Sequence, residues 1–174
     1  HDALPIYQSL SMGYGDRWDR ARAAARDALS KLGASDRGSV VLFSSAAARI
    51  GLVNHEAISA AKAGVEGLVT AASATYAGRG IRVNAIAPGL VRSNLTRRLV
   101  EHEGTLRASV AMHPLGRIGE PHDIAGLAAF LVSSDASWVT GQVIAVAQTS
   151  DGTWWVERID VVVTLSACLE DGLI

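Results

Sequence analysis

Ile81-Arg82-Val83-Asn84-Ala85-Ile86-Ala87-Pro88-Gly89 is the stretch on which the fold turns. Ile81 to Ile86 reads as a strand, closed by Pro88-Gly89, where proline cannot donate to a ladder and glycine permits a turn. Upstream, about His55 to Tyr76 reads as a helix ended by Gly78 and Gly80, with Ala57, Ala61, Val65, Leu68 and Ala72 at steps of three and four forming one apolar stripe. Before it, Val40-Val41-Leu42-Phe43 is a short apolar run without alternation, the pattern of a strand buried on both faces. Earlier still, Asp16 to Leu32 reads as a helix with Asp16 as N-cap and Gly33 as its stop.

Downstream, an exposed helix is expected to begin near Asn94. A further helix runs from Pro121 to about Ser133, with Ile124, Leu127 and Leu131 on one face and proline early, where a helix tolerates it. Val143-Ile144-Ala145-Val146 is a third buried strand. Strands alternating with helices imply crossover connections. The three runs are therefore expected to be neighbouring parallel strands, with the helix that contains Lys62 packed on one face.

The 174 residues suit one domain, and with 49% of them hydrophobic a buried core is expected. Aromatics are only 5%, which favours close-packed helices on a sheet over an aromatic ligand groove. A formal net charge of -1 argues against a nucleic-acid partner, and the adjacent pair Arg97-Arg98 reads as a solvated helix face. No apolar run approaches the roughly 18 residues of a membrane span. A single cysteine, Cys168, excludes an internal disulfide and fits a reducing, cytoplasmic setting. His1-Asp2-Ala3-Leu4 has neither the basic nor the apolar region of a signal peptide, and it lacks an initiator Met, so the sequence is open to being a piece of a longer product. Residues 147–174 form an atypical tail, in which Trp155, Glu157, Ile159 and Val161 are strand-like; a packed tail or subunit contact is expected there.

In open parallel sheets ligands bind beyond the carboxyl ends of the strands. Two such ends carry Phe43-Ser44-Ser45 and Asn84-Ala85-Ile86-Ala87-Pro88-Gly89. Between them lies Ser59-Ala60-Ala61-Lys62-Ala63-Gly64-Val65, and after them come Pro114-Leu115-Gly116-Arg117-Ile118-Gly119-Glu120-Pro121-His122-Asp123-Ile124-Ala125, Phe130-Leu131 and Val139-Thr140-Gly141-Gln142. In this order and spacing the set resembles the short-chain dehydrogenase/reductase family, over a core of about residues 21–146. The resemblance implies a partial Rossmann-like parallel sheet with flanking helices. The family's amino-terminal dinucleotide-fingerprint half has no counterpart: Gly13-Tyr14-Gly15 has no buried strand before it, and Asp16 would repel phosphate.

The resemblance also implies a chemistry: hydride exchange between NAD or NADP and a small carbonyl, hydroxyl or enoyl substrate. In the family a Tyr passes the proton, a Lys four residues later favours its phenolate, and a Ser at the preceding strand end bonds the substrate oxygen. Ser45 falls on the serine position and Lys62 on the lysine position, while Ile58, thirteen residues after Ser45, stands where the tyrosine belongs. No counterpart of the family's helper Asn is found between Ser11 and Ala21. Ile58 has no proton to give, which implies an altered relay and makes His55, a titrating group just ahead of it, a candidate replacement. Lys62, Pro88, Gly89, Val91 and Ser93 fall where relatives contact the nicotinamide half of the cofactor.

Each of these positions has a structural alternative. Ser45 could bond local backbone, Lys62 could reach solvent, His55 could be an ordinary helix-start residue, and Pro88-Gly89 could be a plain turn. A non-catalytic relic or fragment of the same family is the competing reading. His102, His113 and His122 have no metal-ligand spacing, so no metal is expected. In relatives the helix after the serine strand pairs with its copy, which implies a homo-oligomer through residues 55–76.

Overall fold

The computed structural model describes residues 36–147 continuously, together with single positions between 16 and 33. The expected tail, the Gly13-Tyr14-Gly15 segment and Cys168 lie outside the described residues. The described positions before Gly38 and those from Gly38 onward belong to two separate units. In the first, Asp19, Arg20, Ala23, Arg26, Asp27 and Ser30 are helical, Arg20 N–H donates to Asp16 O at 2.9 Å, and Gly33 follows the helical positions.

In the second unit three strands form a parallel sheet in the order β1 (Gly38–Phe43), β2 (Ile81–Pro88), β3 (Val143–Val146). The register pairs Phe43 with Ile86 and Ile86 with Ile144, so all three carboxyl ends lie along one rim. The parallel sheet expected from the apolar runs is what forms. β2 runs further than Ile86, because Pro88 still pairs with Val146 as the last residue, and Gly89 N–H closes the ladder on Val146 O at 3.0 Å.

Helix α1 (Glu56–Tyr76) covers one face. Because side chains alternate along a strand, Val83, Ala85 and Ala87 share a face and meet Val69, with Leu42, Ala72, Ile81 and Val143 around them. The expected stripe is misplaced, however. Ala57, Ala61 and Leu68 are exposed, and the inward face is Ser59, Lys62, Glu66, Val69 and Ser73, flanked by Val65 and Ala72. The cause is polar. Buried Ser44 donates to Glu66 Oε1 at 2.8 Å, and Arg49 Nε bridges both Glu66 oxygens at 3.1 and 3.0 Å. The inner face is thus partly hydrophilic, and hydrophobic periodicity picks out the outer one instead.

The opposite face receives the even-numbered residues of β2. Arg82 donates to Leu131 O and Ser133 O at 2.8 and 3.0 Å, neutralising carbonyls at the end of the helix that spans Pro121–Val132. Asn84, with no exposure at all, donates to Val139 O at 2.9 Å and accepts Gln142 N–H at 3.0 Å. Those two bonds seat the loop that leads into β3. Gly141 in that loop has φ +72°, and a Cβ there would come 2.8 Å from Ser73 Oγ, so only glycine fits.

The helix expected near Asn94 begins later, as α2 (Arg97–Glu101), and is followed by an unforeseen α3 (Glu103–Met112). Residues 93–96 are held out of the helix by a side-chain turn: Ser93 N–H donates to Thr96 Oγ1 at 2.9 Å and Thr96 Oγ1–H to Val91 O at 2.6 Å. The segment Pro121–Val132 is α4; its Asp123 carboxylate accepts Glu120 N–H at 2.7 Å, closing the first turn. Among the described residues no helix is long and apolar enough to cross a membrane.

Candidate active site

Ser45 directly follows the carboxyl end of β1. Its backbone is extended and its Oγ accepts Ala47 N–H at 3.2 Å, capping the short 3-10 turn Ala46–Ala48. An oxygen that accepts in this way keeps its hydroxyl proton to donate outward. Lys62 approaches the same strand end from α1: its ammonium donates to Phe43 O at 2.8 Å, two residues before Ser45. Burial pushes the Lys62 pKa down, since a desolvated ammonium lacks the water that stabilises charge. Glu66, one turn beyond Lys62, holds Ser44 and Arg49, so α1 is locked against this strand end on both sides of the pair. Glu66 was not singled out from the sequence, where its visible signal was a charged side chain one turn beyond Lys62 in an otherwise Ala- and Gly-rich helix.

Ile58 precedes Lys62 by one helical turn and is 44% exposed, so position 58 opens outward on the side that Lys62 shares. His55 is the exposed N-cap residue of α1. Its Nδ1–H donates to Val53 O at 2.8 Å, and it makes no hydrogen bond to Ser45 or Lys62.

The Pro88–Val91 loop leaves the rim beside these residues. Its backbone is almost fully committed: Gly89 N–H to Val146 O at 3.0 Å, Leu90 N–H to His113 Nε2 at 3.0 Å, and Leu90 O to Gly119 N–H at 2.9 Å. Val91 N–H has no partner among the described residues. Ser93 is exposed, and its hydroxyl lies 3.0 Å from Thr96 Oγ1. Beside the loop is a cleft of about 150 Å³, lined by Gly89, Val91, Arg117, Ile124 and Val146 but not by Ser45 or Lys62. That is below the roughly 300 Å³ at which small-molecule sites begin. Arg117 on its wall is engaged by Asp123 through two bonds of 2.6 and 2.9 Å, which hold the Asp123 carboxyl well below the usual range.

Among the described residues the rim thus presents a hydroxyl donor, a cation bonded to Phe43 O, and a loop amide without a partner. The described residues offer no glycine-rich cradle for the pyrophosphate end of a dinucleotide. Fold and rim together define a Rossmann-like α/β protein.

Comparison with known proteins agrees. A family model described as enoyl-(acyl carrier protein) reductase matches residues 21–148. A cyclohexanol dehydrogenase from an Acinetobacter species is 43% identical over 108 residues, covering 62% of this chain and 41% of its own length. An "inactive 2-(S)-hydroxypropyl-CoM dehydrogenase 2" from Xanthobacter autotrophicus is 42% identical over 127 residues, covering 71% of this chain and 55% of that protein. The solved gluconate 5-dehydrogenase of Burkholderia cenocepacia, in complex with NADP and tartrate, superposes with a TM-score of 0.64 at 27% identity over 74% of this chain and 49% of that one. The chain belongs to the short-chain dehydrogenase/reductase family, and it spans about half the length of the curated relatives it matches.

Proposed function

We propose that this chain carries the substrate- and nicotinamide-facing half of an oxidoreductase site, acting between NAD(P) and a small carbonyl, hydroxyl or enoyl substrate through an altered proton relay. The observation that supports it is the convergence at one strand end of the Lys62 ammonium and the Ser45 hydroxyl, whose proton has no acceptor among the described residues. When bound, NAD(P) supplies or accepts the hydride. Ser45 donates to the substrate oxygen and orients it. Lys62 keeps a positive charge beside the reacting centre and reaches the nicotinamide ribose. Pro88, Gly89, Val91 and Ser93 flank the nicotinamide, with Val91 N–H as the donor to its carboxamide.

Ile58 cannot deliver the proton, so the relay runs through another group. His55 is the candidate: its Nδ1–H is used on Val53 O, which leaves Nε2 open to accept or pass on a proton. The site is cytoplasmic in this reading, and the molecule is a homo-oligomer through the outer face of α1. A second reading, a non-catalytic relic, is favoured by Ile58 itself and by the inactive Xanthobacter relative.

Calorimetric titration of the 174-residue chain with NADPH, with its intact mass checked, is the first test. A millimolar dissociation constant is expected, about -4 kcal/mol, because only one end of the dinucleotide is held. Micromolar binding would reveal a phosphate site elsewhere and remove the relic reading. In a form that carries the family's amino-terminal half, Ile58→Tyr is expected to raise ketone reduction, a missing acid being worth up to ~10⁴ in rate. No gain there would sink the proton-relay argument.

A further inference from the structure

His113 is buried, 8% exposed, at the carboxyl end of α3, and the mechanism above does not use it. Both ring nitrogens are engaged by backbone. Nδ1 lies 2.7 Å from Ser109 O, and Nε2 accepts Leu90 N–H at 3.0 Å. A carbonyl oxygen can only accept and an amide N–H can only donate, so one state of the ring satisfies both: neutral, with its proton on Nδ1. No carboxylate of the described residues lies within ion-pair distance of the ring. The charged groups on the two loops packed against it are committed elsewhere, Arg92 to Glu120 and Arg117 to Asp123.

The contact falls on the loop proposed to meet the nicotinamide. Gly89 is wedged between two neighbours: a Cβ there would lie 2.5 Å from His113 Nε2 and 2.3 Å from Ala147 O. Gly119 bridges the loop from the other side, through Gly119 N–H to Leu90 O at 2.9 Å and Arg92 N–H to Gly119 O at 2.8 Å. Those two bonds orient the peptides on either side of Val91, but they leave the Leu90 amide, at the loop's inner bend, with His113 as its acceptor.

We infer that His113 is the positioning residue of the Pro88–Val91 loop: its Nε2, held by the Nδ1–H bond to Ser109, fixes the Gly89–Leu90 peptide and so sets the place of the next peptide, oriented by Gly119 through Leu90 O, whose Val91 N–H faces the nicotinamide carboxamide. This inference rests on the nicotinamide reading for the final step only. The anchoring itself is a property of the apo chain.

Two near-isosteric substitutions separate the ring's two functions. In His113→Gln the side-chain oxygen takes the place of Nε2 and still accepts Leu90 N–H. In His113→Asn the side-chain nitrogen can replace Nδ1 toward Ser109 O, but the chain is too short to reach Leu90. The experiment uses uniformly ¹⁵N-labelled full chain, with the Val69 and Ile86 amides as reporters that the core is intact. Wild type is expected to show the Nδ1–H tautomer and a through-hydrogen-bond ¹⁵N–¹⁵N coupling between Leu90 and His113 Nε2. His113→Gln is expected to keep protection of the Leu90 amide from exchange within about threefold, and His113→Asn to lose it by tenfold or more. NADPH and reduced nicotinamide mononucleotide are then titrated, and the same ordering is expected in their dissociation constants.

Equal Leu90 protection in the two variants, or a wild-type ring protonated on Nε2, would overturn the inference whatever the nucleotides do. If the Gln and Asn variants differ at Leu90 while neither nucleotide binds any form, the anchoring stands and the nicotinamide reading falls. A core disrupted in the Asn variant alone also supports anchoring, provided that the Gln variant retains both core and loop.

Discussion

The Lys62 ammonium sits half-buried on a backbone carbonyl, and burial holds its pKa below the ordinary lysine value of about 10.4. The chain has only two lysines, Lys31 and Lys62, so their side-chain ε-carbon resonances are assignable by inspection. The Lys62 titration is expected to run below the ordinary value, and a midpoint at or above it would show that the ammonium is solvated. The sign of the linkage follows: between the lowered folded pKa and the unfolded value, the unfolded chain binds more protons, so this site's contribution to stability rises with pH across that interval. Ser45 and Lys62 stood out in the sequence as candidates because each carries its own chemistry at a family spacing. His113 was not. Its partners are backbone atoms of Ser109 and Leu90, and nothing in the identity of residue 90 announces that its amide needs an acceptor.

At the level of elements, the two faces of the sheet are held by different forces. α1 meets β2 through Val69, Val83, Ala85 and Ala87, where burying apolar surface stabilises the contact by roughly 25 cal/mol per Å². α4 and the loop into β3 are instead tied to β2 by Arg82 and Asn84. Asn84→Ala would leave Gln142 N–H without its acceptor and leave Val139 O only the Arg82 donor at 3.3 Å. A loss of about 1–2 kcal/mol in unfolding free energy is expected, read from urea denaturation with unchanged m-value. Asn84→Asp should restore only the Gln142 bond and fall between Ala and wild type or below both, since it buries a charge. A loss under about 0.5 kcal/mol for Asn84→Ala would mean that the loop is held by other contacts. Element existence was readable from apolar runs and caps. The later start of α2 and the presence of α3 were not, because Ser93 and Thr96 divert the backbone through side-chain bonds that periodicity does not register.

For the molecule as a whole, the outer face of α1 remains exposed: Ala57, Ala60, Ala61, Gly64 and Leu68, the last at 56%. Gly64 and Gly67 have open space where a Cβ would stand, so a second helix could approach closely there. A two-fold contact buries the same patch twice. Sedimentation at tens of micromolar is expected to show a homo-oligomer, and Ala61→Glu to shift it to monomer with the fold intact. A monomeric wild type would count against that interface. What the sequence by itself determined is the set of strands, their parallel order, the family, and the positions of Ser45, Lys62 and the Pro88–Val91 loop, because these depend on local apolar runs and on residues whose spacing is fixed along the chain. Only the tertiary structure decided which face of α1 turns inward, how Glu66, Ser44 and Arg49 lock it, and that His113 holds the loop. The physical reason is that each of these depends on a polar group finding a partner far away in sequence, and burial makes that pairing obligatory only after the chain has folded.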